Sequence, residues 1–119
     1  QLKYLQKGDG VGYGCTDQIQ ADTQIAIIPV GYADGFKRNL SNGKGGVVID
    51  GQFCPTVGRV CMDMIMVDLG ELKIEANTKV EIIGPNQGLS QFAKQCQTIP
   101  YEILTSISPR VHRSYSEEE

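Results

Sequence analysis

A mainly β domain, a barrel or sandwich of short strands with one or two short helices near the carboxy terminus, is what this 119-residue sequence predicts. Three observations carry that expectation. Turn-forming pairs such as Asp50-Gly51 and Gly84-Pro85 cut the first hundred or so residues into short apolar runs, several of them β-branched. Helical periodicity is almost missing before Ser90. The chain is also long enough for one domain that buries about two thirds of the surface its unfolded form exposes, so it needs no staples.

Taken in order, Leu2 to Gln6 reads as an entry strand, and the glycine-rich Gly8 to Gly14 follows it. Thr23 to Val30, with Ile25, Ile27 and Ile28, suits a buried strand. Ser41-Asn42-Gly43-Lys44-Gly45-Gly46 packs turn residues into a compact, mobile loop too short to join two domains. Val47-Val48-Ile49 and Gln52-Phe53-Cys54 flank Asp50-Gly51, a pair that favours the primed turn of a tight hairpin. Residues 57–69 alternate loosely enough for one long strand, or two broken by a bulge, and Lys79 to Ile83 reads as another strand. Ser90 is placed to cap a helix over Gln91 to Gln97, with Phe92, Ala93 and Cys96 on one face. Pro100 is placed to open a second, with Ile103, Leu104 and Ile107 apolar. Pro109 ends that element, and Val111 to Tyr115 is expected to return as a final strand.

Composition removes several classes of function. Eleven basic and fourteen acidic residues give a net charge of −3 with no basic stripe, which disfavours nucleic acid as a partner. The four cysteines, Cys15, Cys54, Cys61 and Cys96, are widely spaced and His112 is the only histidine, which argues against a zinc site. Without a signal peptide ahead of them, they read as four reduced thiols in a cytosolic protein. No apolar run is long enough to span a membrane.

Four short motifs could carry chemistry. In Gly12-Tyr13-Gly14 a phenol stands between two residues without side chains, open to an approaching molecule. In Gly31-Tyr32-Ala33-Asp34-Gly35 a second glycine-flanked tyrosine sits where an apolar strand gives way to a loop, a common ligand-facing position. In Gly58-Arg59-Val60-Cys61-Met62-Asp63 a cation, a thiol and a carboxylate interrupt apolar residues, so Arg59 and Asp63 either pair with each other or face a polar cleft. In Pro100-Tyr101-Glu102 a phenol stands at a helix start. Taken singly, each has a plain structural alternative: a glycine-rich turn at Tyr13, the edge of the core at Tyr32, core filler at Met62 and Met64, a helix-entry staple at Tyr101. The early glycines lack the spacing of a nucleotide loop, and Cys61 has only His112 as an available base.

Together and in order, Val11-Gly12-Tyr13-Gly14, Ile28-Pro29-Val30-Gly31-Tyr32-Ala33-Asp34-Gly35, Val57-Gly58-Arg59-Val60-Cys61-Met62-Asp63 and Tyr101-Glu102-Ile103 resemble the carboxy-terminal part of the alanine racemase family. In that family a pyridoxal-phosphate-binding (β/α) barrel comes first and a mostly β-stranded domain follows. This chain, over 1–119, resembles the second alone, and the cofactor lysine motif is missing from it.

The resemblance implies a racemase acting on alanine for cell-wall precursor supply, cytoplasmic and a head-to-tail homodimer, in which this β domain completes the partner subunit's site. Racemisation removes the α-proton of a cofactor-bound amino acid from one face and returns a proton to the other. The family places a lysine on one face and a tyrosine on the other, and Tyr13 matches that tyrosine. A phenol with a pKa near 10 is a poor base at neutrality, so a cation from outside this stretch must favour its phenolate. Met62 matches the residue whose N–H meets the substrate carboxylate, and Tyr101 the tyrosine that reaches the cofactor phosphate. Tyr32, Arg59 and Asp63 match the lining of the substrate entrance. A tyrosine at 101 favours alanine over serine. The isolated chain is expected to bind no cofactor and to be inactive. The competing reading is a stand-alone β module that binds a ligand or protein without catalysis.

Overall fold

A computed structural model describes residues 1–5, 10–11, 17–18 and 23–116. The strands are β1 (Leu2–Leu5), β2 (Gly10–Val11), β3 (Asp17–Gln18), β4 (Thr23–Ile28), β5 (Gly46–Ile49), β6 (Gln52–Pro55) and β7 (Ile65–Gly70). Two helices of seven residues follow, α1 (Leu89–Gln95) and α2 (Pro100–Ser106). The chain is therefore mainly strands with two short helices, as the sequence predicts.

Strand pairing is antiparallel throughout. One sheet runs in the order β1-β4-β7, while β2 pairs with β3 and β5 with β6. Single bridges string the larger pieces together: Thr56, just past β6, bridges Val67 of β7, and Val48 of β5 bridges Glu81. The wall thus runs from β1 through β4, β7, β6 and β5 to residue 81. Among the described residues no pairing joins residue 81 back to β1, and a cavity of 320 Å³ lies there between Leu2, Ala26 and Ile28 on one side and Ile74 and Val80 on the other.

The core follows from the strand period of two. Ile65, Val67 and Leu69 alternate inward along β7 with at most 1% exposure, and Ala26 and Ile28 meet them from β4. Burying each of these isoleucine, valine and leucine side chains contributes about 1.5–3 kcal/mol. Helix α1 closes one end through Phe92, whose ring lies 5.9 Å from that of Phe36 at a 56° tilt, together with Ala93 and Cys96. Gln87, fully buried, ties α1 to the wall: its Nε2 donates to the carbonyls of Gly46 (3.1 Å) and Ile82 (2.7 Å), and its Oε1 accepts from Gln95 Nε2 (3.1 Å).

The Asp50-Gly51 hairpin forms as expected. Both residues have positive φ, 49° and 77°, the geometry of a primed turn, and register runs from Ile49 opposite Gln52 to Gly46 opposite Pro55. Pro100 occupies the start of α2, where its missing N–H costs nothing.

Elsewhere the structure corrects the sequence reading. Only the end of residues 57–69 is a strand. Gly58 takes a left-handed φ of 73°, and the Cys61 N–H turns back to the Met64 carbonyl (3.1 Å), so 57–64 is a shaped loop. Lys79 to Ile83 forms the single bridge at Glu81 and no strand, because the Glu81 carboxylate accepts from the N–H groups of Asn86 (2.7 Å) and Gln87 (2.9 Å) and bends the chain into a turn. Gly88, not Ser90, occupies the cap of α1, and no side chain caps it. Val111 to Tyr115 is not a strand, and Leu104 points outward from α2. The glycine-rich loop after Leu40 is tied down: Ser41 Oγ accepts from Val60 N–H (2.8 Å), and Thr56 Oγ1 accepts from Gly43 N–H (3.0 Å) while donating to the Leu40 carbonyl (2.6 Å).

Candidate functional site

The pairing of β4 with β7 decides where the motifs meet. Ile28, the last residue of β4, stands opposite Ile65, the first of β7. The loop leaving β4 and the loop entering β7 therefore emerge at the same end of the sheet, which brings Gly31 to Gly35 against Cys61 to Met64. Tyr32 N–H donates to the Cys61 carbonyl and Ala33 N–H to the Met62 carbonyl, both at 3.0 Å. Gly31 makes this approach possible, since a Cβ there would lie 2.5 Å from the Met62 carbonyl carbon and closer still to the carbonyl oxygens of Cys61 and Met62.

Within that arrangement Met62 and Tyr32 are surface residues, 50% and 43% exposed. The reading of Met62 and Met64 as core filler is thereby overturned. Met62 N–H has no acceptor among the described residues, although the Cys61 N–H beside it does. An N–H left open next to an exposed side chain is a donor available to a carboxylate. Cys61, Met62, Asp63 and Met64 border an open cavity of 530 Å³ with Ile27 and Pro29.

Asp63 and Arg59 do not pair with each other. Asp63 Oδ1 accepts instead from Arg110 Nη2 (2.6 Å), and Arg110 Nε donates to Asp34 Oδ1 (2.6 Å). The second oxygen of Asp34 accepts from Gly31 N–H (2.9 Å). The hydrogen bond from Arg110, and next the one from Gly31, hold the Asp34 carboxyl below the usual carboxylate range. Arg59 is exposed and lines a separate polar cleft of 360 Å³ with Arg38, Asn39, Ser41 and Lys44, a cationic rim with no ion pair at Arg59 among the described residues.

Tyr101, in the first turn of α2, is 77% exposed with its hydroxyl unpartnered among the described residues, so it staples nothing. The far end of α2 packs under the Gly31 to Gly35 loop, where Ser108 N–H donates to the Asp34 carbonyl (3.2 Å). Tyr13 and its flanking glycines lie outside the described residues, as does Cys15. Burial pushes the thiols of Cys54 and Cys96 up, and with Cys61 they are free and buried. Among the described residues no group of three or more His, Cys, Asp or Glu side chains could hold a metal ion, and no helix is long and apolar enough to cross a membrane.

The structure thus brings Tyr32, Met62 and Asp63 together and sets Arg59 in a neighbouring cleft. Sequence reasoning missed Arg110, which lies 76 and 47 residues from its two partners. Nothing local in Pro109-Arg110-Val111 distinguishes it from an ordinary surface arginine.

Comparison with known proteins accounts for this combination of loops. The sequence model of the alanine racemase C-terminal domain matches residues 1–115. The alanine racemase of Brucella ovis is 44% identical over 118 residues, covering 97% of this chain and 30% of that protein. That of Staphylococcus carnosus is 46% identical over 123 residues, covering 98% and 31%. Among solved structures, alanine racemase from Bartonella henselae with covalently bound pyridoxal phosphate superposes with a TM-score of 0.90 at 39% identity, covering 98% of this chain and 33% of that one. The enzyme from Streptomyces lavendulae gives 0.91 at 38%, covering 99% and 32%. The chain spans about a third of the length of the relatives it matches. By sequence over nearly its whole length and by fold, the chain belongs to the alanine racemase family, as its carboxy-terminal domain.

Proposed function

We propose that this chain is the carboxy-terminal domain of a cytoplasmic, pyridoxal-phosphate-dependent racemase that interconverts L- and D-alanine for cell-wall precursors. It acts in a homodimer by completing the partner subunit's site. The observation that carries this reading is the match of residues 1–115 to that domain family, with the Tyr32 and Met62 motifs docked on one another.

Four contributions follow. Tyr13 takes the α-proton of L-alanine on its phenolate oxygen and returns it in the reverse direction. Met62 N–H donates to the substrate carboxylate, a role supported by its lack of a protein acceptor among the described residues. Tyr101 offers its hydroxyl to the cofactor phosphate, for which its exposure leaves it free. Tyr32, Arg59 and Asp63 line the approach, where Arg59 and its cationic neighbours attract a carboxylate.

The donor set of the described residues fits a contribution to the cofactor rather than a complete seat for it. Tyr101 can reach a phosphate presented by another domain, whereas the cavity beside Met62 holds one carboxylate and no lysine. When bound, pyridoxal phosphate makes the α-proton acidic by drawing electron density into its ring. The chain itself orients the carboxylate and supplies one proton-transfer group.

The test is a fusion of this chain to the amino-terminal two thirds of the Staphylococcus carnosus racemase. Racemisation in both directions is expected, and Tyr13→Phe in that fusion is expected to reduce it at least about 100-fold. Near-normal rates with phenylalanine would remove Tyr13 from the role. The chain alone, mixed with pyridoxal phosphate, is expected to give no stoichiometric visible Schiff-base absorbance.

A further inference from the structure

Arg110 is the one cation among the described residues that forms ion pairs, and it forms two. Its partners lie on the two loops that make the candidate site. Asp34 closes the Gly31 to Gly35 turn through its own bond to Gly31 N–H, and Asp63 follows Met62 directly. The loops are otherwise joined by the bonds from Tyr32 and Ala33 to the Cys61 and Met62 carbonyls. The Cys61 carbonyl and the Met62 N–H belong to one planar peptide, so the bond from Tyr32 also sets the direction of that N–H and holds it only while the two loops stay docked. Arg110 ties the same two loops together through their side chains, with Nε and Nη2 spanning two carboxylates in the planar geometry a guanidinium imposes. Its own backbone is held too: Ser108 N–H donates to the Asp34 carbonyl, Ser108 Oγ accepts from Arg110 N–H (3.2 Å), and Val111 N–H donates to the Ser108 carbonyl (3.1 Å).

The bridge is a weak source of stability. Arg110 and Asp63 are 48% and 65% exposed at their side chains, and solvent screens such pairs to little net energy. Its geometric effect does not depend on that energy. A peptide free to rotate by a few tens of degrees aims its N–H elsewhere, and an N–H that binds a carboxylate is useful only where it points.

We propose that Arg110 is a positioning residue of the candidate site: by clamping Asp63 to Asp34 it keeps the two loops docked, and so steadies the Tyr32–Cys61 bond that aims the Met62 N–H at the amino-acid carboxylate. This rests on the role of Met62 given above, and the experiment separates the two.

In the ¹⁵N-labelled 119-residue chain, Arg110→Ala is expected to raise the hydrogen-exchange rates of the Tyr32 and Ala33 amides about tenfold. The Val48 amide, bonded to the Glu81 carbonyl at 2.8 Å on the other side of the wall, serves as the control and is expected to stay within twofold. Asp63→Ala, which removes one leg of the clamp and leaves the contact to Asp34, is expected to reproduce the change at Ala33. Arg110→Lys, which keeps the charge and loses the fork, is expected to fall between. Unchanged Tyr32 and Ala33 rates, or acceleration shared equally by Val48, would overturn the clamp. In the racemase fusion, Arg110→Ala is expected to raise KM for alanine five- to tenfold with kcat within twofold, as loss of ground-state binding requires. A fall in kcat at constant KM would overturn the link to Met62. An unmutated fusion without activity would count against the racemase reading, while the exchange rates would still decide the clamp.

Discussion

Replacing Gly31 with alanine tests the docking of the two site loops directly. The added methyl would sit 2.5 Å from the Met62 carbonyl carbon and nearer to two carbonyl oxygens, whereas carbon atoms pack comfortably at about 3.5–4.0 Å. Every obstructing atom is backbone, so no rotamer change relieves the overlap and the loops must part by about 1 Å. Overpacking of this kind costs about 1–3 kcal/mol. Separation also stretches the bonds from Tyr32 and Ala33, each 3.0 Å now and each worth about 1 kcal/mol net. Together these give a destabilisation of about 3 kcal/mol. With a urea m-value of about 1.5 kcal/mol per molar, the unfolding midpoint falls by about 2 M. Gly51→Ala is the control, because its φ of 77° disfavours a side chain but nothing lies within 4 Å of the new methyl, so the cost is the left-handed strain alone, about 1–2 kcal/mol. Urea titrations of both variants, followed by circular dichroism, decide the matter. A Gly31→Ala midpoint equal to or above that of Gly51→Ala would refute the view that close backbone approach is the reason for glycine at 31.

Two further predictions concern ionisable groups. Asp34 is held below its ordinary pKa of about 3.9 chiefly by Arg110, so the stability it contributes is present above that value and is lost as pH falls through the lower folded-state value. Arg110→Ala should therefore melt only slightly below wild type near neutrality, as an exposed bridge requires, with the two converging in acid, and a gap that persists at pH 2 would contradict the assignment. Cys54, Cys61 and Cys96 are buried, with burial raising the thiols of the first and third. In a Cys15→Ser background an aromatic disulfide reagent should titrate fewer than one thiol in buffer and all three in urea, and rapid reaction of two or more in buffer would be inconsistent with the packing.

What the sequence made legible was local. Asp50-Gly51 announces a turn because so few residues accept two positive φ angles in succession, and Pro100 announces a helix start because its ring forbids most other places. The misread segments share a different cause. Residues 57–64 have the apolar alternation of a strand, yet Gly58 and the Cys61 to Met64 turn divert them, and neither follows from hydropathy. Val80 and Ile82 alternate equally well, but the neighbouring carboxylate finds two N–H donors five and six residues on, and that local exchange outcompetes a ladder. Ser90 has the chemistry of a cap and sits inside the helix it was expected to start. The site was half legible: Tyr32, Met62 and Asp63 stand out by type, whereas Arg110 becomes visible only when β4 and β7 pair and α2 returns the chain to the same end.

That dependence on pairing explains why the candidate site tolerates a small and irregular scaffold. Tyr32 and Met62 need no long sheet beneath them. They need Ile28 opposite Ile65, and a slip of one residue would turn Ile65, Val67 and Leu69 from core to surface. The energy that fixes the register is thus the burial of those three side chains, far larger than any term the exposed Arg110 bridge can add. The core sets which loops meet, the bonds from Tyr32 and Ala33 set how they face one another, and the bridge keeps them docked. A variant of the core should therefore lose fold and site together, while a variant of the bridge should leave the fold and misalign the site, which is the division of labour that the amide exchange rates of Tyr32, Ala33 and Val48 are chosen to read.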